Sequence, residues 1–401
     1  MMAMAAAPAA LEAARQRLQS VEKKLNEMVI GHEDFIRALL IASVAGEHIA
    51  VIGPQGTGKS YVARLYAQLL NARFYKYQLT RFSVYDELFG AIDVAELARS
   101  GTLKRNWSKI ISSEFVFLDE IFKANSAVLN ALLSLLQERV VYDPVTGSEV
   151  RADLHTCIGT SNEVPEDPEL AALYDRFAIK VFVDYLSDDA ALLRALEARW
   201  LNSAPPQPIA TMNDVKALHA YALRLITAKV ATPDGRVLGE VYKIYHLNAV
   251  PVARQLRSQG IVISDRTLIE KLPKLLAAYL ALYGVTQENV MNGVLDLIVY
   301  TARAKEEVDA IKKKIEDALG EVAELSRKLE KAKEYLRALN LGAAEKELAD
   351  IVNTDVESYA KKAPWLKPRV EAIIAQARQY LESVSEMANQ LKRMAGGGGG
   401  A

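Results

Sequence analysis

Gly53-Pro54-Gln55-Gly56-Thr57-Gly58-Lys59-Ser60 follows directly on the apolar run Ile49-Ala50-Val51-Ile52. The octapeptide matches the G-x-x-x-x-G-K-[ST] phosphate loop, and a short apolar strand before it is the setting that this motif requires. Its glycines leave backbone N–H groups free to surround phosphates, its lysine reaches the β- and γ-phosphates, and its serine ligates Mg²⁺. We therefore predict a nucleoside triphosphate site at Gly53, Gln55, Gly56, Thr57, Gly58, Lys59, Ser60 and Tyr61, with Lys59 also catalytic and Ser60 a metal ligand.

Short β-favouring runs alternate with amphipathic stretches over the first 184 residues. They cover residues 49–52, 74–79, 115–118, 155–159 and 179–183. This alternation is typical of an α/β protein with a doubly wound parallel sheet, here of five strands. Ligands of such sheets bind at the carboxyl ends of the strands, which is where the phosphate loop lies.

Two acidic residues end one of these runs, Phe115-Val116-Phe117-Leu118-Asp119-Glu120. Asp119 is predicted to be a Mg²⁺ ligand, and Glu120 is predicted to polarise the water that attacks the γ-phosphate. Acidic residues are common in turns after strands, so this assignment depends on the phosphate loop that precedes it in the chain.

Two further polar residues stand near the last two strands of the predicted sheet. Asn162 follows the run 155–159, where its amide is suited to orienting the attacking water or contacting the γ-phosphate. The alternative is that it caps the turn before Pro165. Arg176 precedes the run 179–183, and a guanidinium suits the charge that spreads over phosphoryl oxygens, also when a neighbouring subunit supplies it. The alternative for Arg176 is a surface ion pair.

The composition excludes several classes of protein. Forty-nine basic residues balance fifty acidic ones, so no overall field steers the chain to nucleic acid or to an anionic membrane. The single cysteine, Cys157, excludes intramolecular disulfides and is predicted to lie in the core, and the five histidines show no metal-ligand spacing. No run of about 18 uncharged apolar residues occurs, so we expect no membrane segment and a cytoplasmic location.

These motifs, in this order, resemble those of the AAA+ ATPases and, within them, of the MoxR group and its RavA-like members. The resemblance covers about residues 20–300 and includes the phosphate loop, Phe117-Leu118-Asp119-Glu120-Ile121, Thr160-Ser161-Asn162-Glu163, Leu173-Tyr174-Asp175-Arg176 and Ser264-Asp265-Arg266. It implies ATP as the nucleotide and Mg²⁺ as the metal. It also implies that Asp119 and Glu120 are the Walker B pair, Asn162 sensor 1, Arg176 the arginine finger and Arg266 sensor 2.

Arg266 illustrates why the resemblance was needed to choose between roles. It lies in the first turn of a helix that Ser264 is predicted to cap, where its charge opposes the helix dipole. A nearby phosphate would offset that cost, whereas the alternative is an ion pair with Asp265 or Glu270. We favour a phosphate of the nucleotide as the partner of Arg266.

The resemblance also implies an organisation into domains. We expect an α/β nucleotide-binding core at 1–184, an α-helical lid at 185–300, a helical hairpin or coiled-coil arm at 301–395 and a flexible glycine tail at 396–401. Within the core, residues 81–113 resemble the helix-2 insert that faces a ring pore, and residues 140–151 are predicted to form the hairpin before sensor 1. Val29 and Ile30 lie where related ATPases hold the adenine.

The predicted arm depends on a heptad pattern. Apolar residues from Val308 to Leu339 recur at alternating spacings of three and four, and a second series runs from Val370 to Met394. Two helices with such seams most simply pack antiparallel.

The resemblance implies a ring, with six subunits expected, that couples ATP hydrolysis to the remodelling, assembly or activation of a client protein beside a von Willebrand factor A-domain partner. Two alternatives stay open. One is an ATP-driven nucleic-acid motor or loader, a less expected function for which Lys104, Arg105 and Lys109 are the candidate phosphate contacts. The other is an assembly scaffold whose nucleotide controls only the oligomeric state.

Overall fold

The computed structural model describes residues 9–200, 206–227, 229–231, 237–239, 249–250, 252–285, 287–337, 340–362 and 366–396. The chain forms two compact units, Met1–Tyr242 with Ser264–Lys305, and Lys243–Ile263 with Glu306–Ala401. Among the described helices, none is long and apolar enough to cross a membrane. The division into core, lid and arm at residues 184 and 300 stays a prediction.

Nine strands are described, all in the first unit. They are β1 (Ile49–Ile52), β2 (Phe74–Gln78), β3 (Phe115–Asp119), β4 (Val140–Tyr142), β5 (Glu149–Arg151), β6 (Thr156–Ser161), β7 (Ile179–Phe182), β8 (Lys229–Ala231) and β9 (Val237–Gly239). Five of them form one sheet in the order β2-β3-β6-β1-β7, and every pair in it is parallel. The predicted five-stranded parallel sheet is confirmed, and the carboxyl ends of β1, β3 and β6 lie side by side.

The central strands are apolar because both faces of the sheet are covered. Ile49 of β1 stands in register with Ile158 of β6 on one side and with Ile179 of β7 on the other, and all three are fully buried. Cys157 pairs with Val116 and is also fully buried, which confirms its predicted place in the core. Burial raises the pKa of the Cys157 thiol to about 12.

The first unit also contains most of the helices. They are α1 (Ala9–Met28), α2 (Glu33–Ala45), α3 (Lys59–Leu69), α4 (Tyr85–Phe89), α5 (Val94–Ser100), α6 (Lys109–Ser112), α7 (Ser126–Glu138), α8 (Pro168–Tyr174), α9 (Asp189–Trp200), α10 (Met212–Thr227), α11 (Leu272–Tyr283) and α12 (Gln287–Val299). The apolar stripe of α1 is buried against α2, α10 and α11, and Arg15 Nε donates to Ala281 O at 2.8 Å.

Residues 81–113 and 140–151 are linked by a buried ion pair. The first segment contains α4, α5 and α6, and the second is the antiparallel hairpin of β4 and β5. Arg105 donates from Nε and Nη2 to the Asp143 carboxylate at 2.9 and 3.0 Å, and both side chains are almost fully buried. The expectation that Arg105 is a free phosphate contact was therefore wrong, because its charge is used inside the protein. Lys104 and Lys109 are exposed.

The second unit is helical. It contains a helical segment at 252–258 and the helices α13 (Lys305–Arg337), α14 (Leu341–Val352), α15 (Val356–Lys362) and α16 (Lys367–Gly396), the first of which begins one residue before the unit boundary. Five residues of the predicted seam in α13, namely Ile311, Val322, Leu325, Leu329 and Ala332, are buried, and so are Val370, Ala377 and Val384 of α16. Helices α14 and α15 lie between the two long helices in the chain, and the antiparallel packing of those two helices stays a prediction.

Candidate functional site

The phosphate loop joins β1 to α3 through backbone conformations that require glycine. Gly53, Gly56 and Gly58 have φ of 155°, 80° and 87°. A Cβ on Gly53 would lie 2.1 Å from the carbonyl oxygen of Val183, so no larger residue fits there. Gly58 forms the N-cap of α3, which turns the first amides of that helix toward the loop and favours an anion at this point.

Lys59 is the first residue of α3, and its side chain turns back to the phosphate loop. Its Nζ donates to the carbonyl oxygens of Gly53 at 2.5 Å and of Pro54 at 2.8 Å, and the residue is buried. Burial lowers the pKa of the Lys59 amine, whereas the carboxylates of Asp119 and Glu120 oppose that shift. The fold therefore places the partly desolvated ammonium group of Lys59 where phosphate oxygens would bind.

One cleft of about 370 Å³ brings together most of the predicted phosphate-binding residues, both predicted metal ligands, and Lys59, Glu120 and Asn162 of the predicted catalytic residues. It is lined by Gln55, Gly56, Thr57, Gly58, Lys59, Ser60, Gln78, Phe117, Asp119, Glu120 and Asn162. The Asp119 Oδ1 atom accepts a hydrogen bond of 2.6 Å from Thr160 Oγ1, which fixes the carboxylate at the end of β3. Ser60 and Asp119 offer a hydroxyl and a carboxylate oxygen in the same cleft, and such hard oxygen donors fit Mg²⁺.

Glu120 is held in place by three side chains. Asn162 Nδ2 donates to Glu120 Oε1 at 2.9 Å, and Gln55 Nε2 donates to the same oxygen at 3.3 Å. Lys123 Nζ lies 3.4 Å from the other carboxylate oxygen. The structure thus places Asn162 beside the predicted base. Its amide nitrogen must face Glu120, because an ionised carboxylate only accepts hydrogen bonds.

A second cavity of about 370 Å³ begins where the phosphate loop ends. Val29 and Ile30, the predicted adenine contacts, line it together with Met28, His32, Gly56, Thr57, Tyr61, Asp184, Tyr185, Leu186, Leu192, Ala195 and Arg199. The two cavities share Gly56 and Thr57, so they lie next to each other along the loop.

Sequence reasoning missed the far wall of this cavity. Tyr185 Oη donates to the carbonyl oxygen of Gln55 at 2.9 Å, and the guanidinium of Arg199 lies 5.4 Å from the centre of the Tyr61 ring. These residues follow the last strand of the sheet and carry no motif. Only the return of the chain to the loop could have identified them.

His32 contacts the backbone of the phosphate loop through its imidazole ring. Its Nε2 is 2.5 Å from the carbonyl oxygen of Thr57 and must therefore carry the proton that it donates. Burial lowers the pKa of the His32 imidazole, so the ring is neutral at physiological pH. Among the described residues, its Nδ1 atom has no hydrogen-bond partner.

Arg176 and Arg266 lie close enough for the charge of Arg266 to affect Arg176. Neither lines the cleft or the adjoining cavity. The pKa of the Arg176 guanidinium is lowered by burial and next by the charge of Arg266. Arg266 Nε is 3.3 Å from Glu270 Oε2, which is one of the ion pairs considered for it as an alternative to the nucleotide.

Comparisons with known proteins show what this chain is similar to. A protein of Methanocaldococcus jannaschii described only as uncharacterised is 31% identical over 251 residues, which are 62% of either chain. The MoxR protein of Paracoccus denitrificans is 27% identical over 176 residues, or 42% of this chain. The chain thus spans 62% and 50% of the length of these two relatives.

A solved structure supports the fold independently of close sequence similarity. A Cytophaga hutchinsonii protein that is provisionally described as an ATPase superposes with a TM-score of 0.56 at 20% identity, and the match covers 75% of this chain and 91% of the other. Residues 16–223 match the family model described as the MoxR domain in the MoxR-vWA-beta-propeller ternary systems. This match covers half of the chain and includes the cleft and its neighbouring cavity. The chain therefore belongs to the MoxR family of AAA+ ATPases.

Proposed function

We propose that this protein is a Mg²⁺-dependent ATPase that works as a ring and couples hydrolysis to the remodelling, assembly or activation of a client protein. One observation carries the proposal. The Glu120 carboxylate is fixed by Asn162 and Gln55 in the same cleft as the phosphate loop, Ser60 and Asp119.

The proposed catalytic, phosphate-binding and metal-binding residues of the cleft have distinct parts in this chemistry. Glu120 polarises the attacking water and takes its proton, and Asn162 keeps the carboxylate aimed at the end of the phosphate loop. The Lys59 amine and the loop amides balance the charge of the phosphates. Ser60 and Asp119 would hold Mg²⁺, which neutralises phosphate charge when it is bound.

The adjoining cavity suits the nucleoside. Val29 and Ile30 offer apolar contact, and Tyr61 and Tyr185 add aromatic faces near the loop. An apolar slot with a few polar groups is the usual form of such a binding site. We propose that the adenine lies against Val29 and Ile30.

The position of the two arginines favours a subunit interface. Since Arg176 and Arg266 do not line their own cleft, we propose that both reach the γ-phosphate of a neighbouring subunit. Helix α9 borders the nucleoside cavity and exposes Leu193, Leu196 and Trp200, as expected of a surface that a second copy covers. A closed ring, with six subunits as the expected number, would complete every cleft in this way.

The partners are proposed from the family. The description of the matching family model names von Willebrand factor A and β-propeller components beside the MoxR domain. We therefore propose a von Willebrand factor A-domain protein as a partner. A nucleic-acid motor is less well supported, because the burial of Arg105 leaves only Lys104 and Lys109 of the three candidate contacts.

Two variants test the ATPase and its shared site. We expect Glu120→Gln to bind ATP normally and to lower kcat by about 10²-fold or more. Arg176→Ala should lower kcat by about 10³-fold, the smaller end of the effect of an arginine finger. Mixing the two variants should restore activity, because the arginine of the first chain serves the intact cleft of the second. Lys216→Met, on the exposed lysine that pairs with Glu114, is the control.

The result that overturns the proposal is equally specific. Normal turnover by Glu120→Gln would remove the base assignment and favour the scaffold alternative, provided that assembly and client binding persist. Failure of the mixture would remove the shared site.

The client requires a separate experiment. Glu120→Gln should hold ATP without hydrolysis and thereby retain bound partners. Affinity capture on this variant, followed by mass spectrometry, should enrich a von Willebrand factor A-domain protein relative to Lys59→Ala, which cannot bind nucleotide. Equal recovery on both variants would contradict a nucleotide-dependent partner.

A further inference from the structure

We propose that Lys271 is a positioning residue for Arg176. It holds the turn Asp175-Arg176, here called the arginine loop, against the segment that carries Arg266. This inference rests on the proposed function of Arg176 as a residue that serves a neighbouring cleft. It adds a residue that no motif identifies and that does not itself approach the nucleotide.

The contact that carries the inference is a buried lysine on a backbone carbonyl. Lys271 is 4% exposed, and its Nζ donates to the carbonyl oxygen of Asp175, the residue immediately before Arg176. A main-chain contact at this point determines where the Arg176 side chain begins. It leaves the guanidinium itself uninvolved.

The same loop is held from a second direction. Arg303 Nη2 donates to both carboxylate oxygens of Asp175, at 3.0 and 3.1 Å, and Tyr174 Oη donates to the Arg303 carbonyl oxygen at 3.1 Å. By contrast, the Arg176 Nε atom is buried without a hydrogen-bond partner among the described residues. The contacts around Asp175, rather than one to that Nε, therefore locate Arg176.

The local helix geometry connects Lys271 to Arg266. Arg266 directly precedes a π-helical turn, Thr267–Lys271, that ends at Lys271, and Leu272 N–H donates to the Thr267 carbonyl oxygen at the far end of this turn. Pro273 follows and has no N–H to continue an α-helical ladder. Single π-turns within helices are frequent at functional sites. Here Arg266, an arginine of the proposed interface, directly precedes the turn. Lys271, which holds the residue before Arg176, ends it.

The electrostatics argue against a merely structural lysine. Burial lowers the pKa of the Lys271 amine to about 8; Glu47 and Asp175 oppose that shift, whereas Arg266 and Arg176 add to it. An apolar side chain would avoid the cost of placing a third cation beside two arginines. The Lys271 ammonium group donates to the Asp175 carbonyl oxygen and itself occupies neither guanidinium group, whereas an apolar side chain could not hold that carbonyl.

The first test is kinetic. We expect Lys271→Met to lower kcat by roughly 10-fold to 100-fold, as for a misplaced catalytic group, with KM for ATP unchanged because its own cleft is intact. Lys271→Arg, which keeps a charged donor, should recover most of the activity. Lys216→Met is again the control, since its amine pairs with Glu114, the residue before β3, and not with the Asp175 turn.

The second test uses mixed assemblies and separates positioning from general damage. Lys271→Met chains mixed with Glu120→Gln chains should regain activity, because intact arginines then serve the Lys271→Met clefts. Lys271→Met chains mixed with Arg176→Ala chains should not, because neither chain supplies a well-placed arginine. Lys271→Gln, with a neutral donor, is the second variant in case the methionine variant does not fold, and should show the same asymmetry more weakly.

The outcomes distinguish this inference from the function on which it rests. If Glu120→Gln and Arg176→Ala fail to complement each other, the shared site itself is wrong. If they do complement, but the Lys271 variants keep normal kcat, recover with both partners or recover with neither, then Lys271 does not position Arg176.

Discussion

Glu120 occupies the left-handed backbone conformation, with φ of 53° and ψ of 46°, directly after β3. For a residue with a side chain this conformation costs on the order of 1–3 kcal/mol, and it persists only where the surroundings impose it. The turn sends the chain away from the sheet and leaves the carboxylate beside Asn162 and Gln55. The backbone conformation of this single residue therefore separates the proposed base from Asp119, its neighbour in sequence and the proposed metal ligand.

Thr160 gives a prediction about that metal ligand. Its hydroxyl donates to Asp119 Oδ1 at 2.6 Å, and Thr160→Val removes the hydroxyl with little change in shape. We expect the Mg²⁺ concentration for half-maximal ATPase activity to rise about tenfold, because partners that orient a ligand affect metal affinity by this amount. Activity at saturating Mg²⁺ should stay close to that of the wild type. An unchanged Mg²⁺ dependence would show that Thr160 does not orient the ligand.

His155 gives a prediction about pH. Burial lowers the pKa of its imidazole to about 4, and its Nε2 is 2.6 Å from the Ser43 carbonyl oxygen. As pH falls below about 6.5, the unfolded chain takes up this proton first, so stability is full above that pH and is lost as pH falls toward 4. We expect this residue to contribute about 1–2 kcal/mol to the loss between pH 7.5 and 5.

Urea unfolding of the wild type and of His155→Gln at both pH values checks that expectation. Glutamine keeps a donor for the Ser43 carbonyl oxygen but does not titrate. The variant should therefore lose less free energy of unfolding than the wild type over this interval. Equal losses would mean that the proton is taken up elsewhere.

At the scale of elements, the segment 81–113 and the hairpin of β4 and β5 behave as one structure because Arg105 joins them. Its guanidinium pairs with Asp143 from the hairpin and with Asp86 from α4, at 2.5 Å, and lies 4.9 Å from the centre of the Tyr85 ring. Arg105 holds the pKa of the Asp143 carboxyl below its ordinary value, against the effect of burial. A buried pair of this kind is strongly destabilised when one partner is removed.

Asp143→Asn tests the link between the two elements. We expect it to lower the free energy of unfolding by about 3 kcal/mol and to expose residues 81–113 to limited proteolysis, with ATP affinity retained. Asp86→Asn is the matched control, because it removes the half-exposed partner of the same arginine and should cost less than about 1 kcal/mol. Similar losses in the two variants would contradict the assignment of Asp143 as the main partner.

At the scale of the whole molecule, α9 lines the cavity beside the phosphate loop and exposes apolar side chains. Ala191 is the residue by which this helix is buried, whereas Leu193, Leu196 and Trp200 are 62, 56 and 72% exposed. Large apolar side chains at such exposure beside a proposed shared site suit a contact between copies of the chain.

Leu193→Asp combined with Leu196→Asp tests whether this surface carries assembly. We expect the double variant to be a folded monomer by size-exclusion chromatography with light scattering, and to lose ATPase activity as Arg176→Ala does. Leu223→Asp, on an exposed residue of α10, is the control and should assemble normally. Assembly of the double variant like the wild type would place the interface elsewhere.

The parallel sheet, the phosphate loop and the Asp119-Glu120 pair could be predicted from the sequence because each depends on local chemistry. Apolar runs of strand length, glycines that alone reach the required φ, and acidic residues at a strand end act through their nearest neighbours in the chain.

Tertiary contacts decided everything that depends on residues far apart in the chain. Lys104 and Arg105 are adjacent and equally charged, yet only Arg105 is buried, because Asp143 lies 38 residues away on the hairpin that folds against it. In the same way, Tyr185 returns to Gln55, and Lys271 reaches Asp175 across 96 residues. A charged side chain is stabilised in the interior only by a partner, and the position of that partner is a property of the fold.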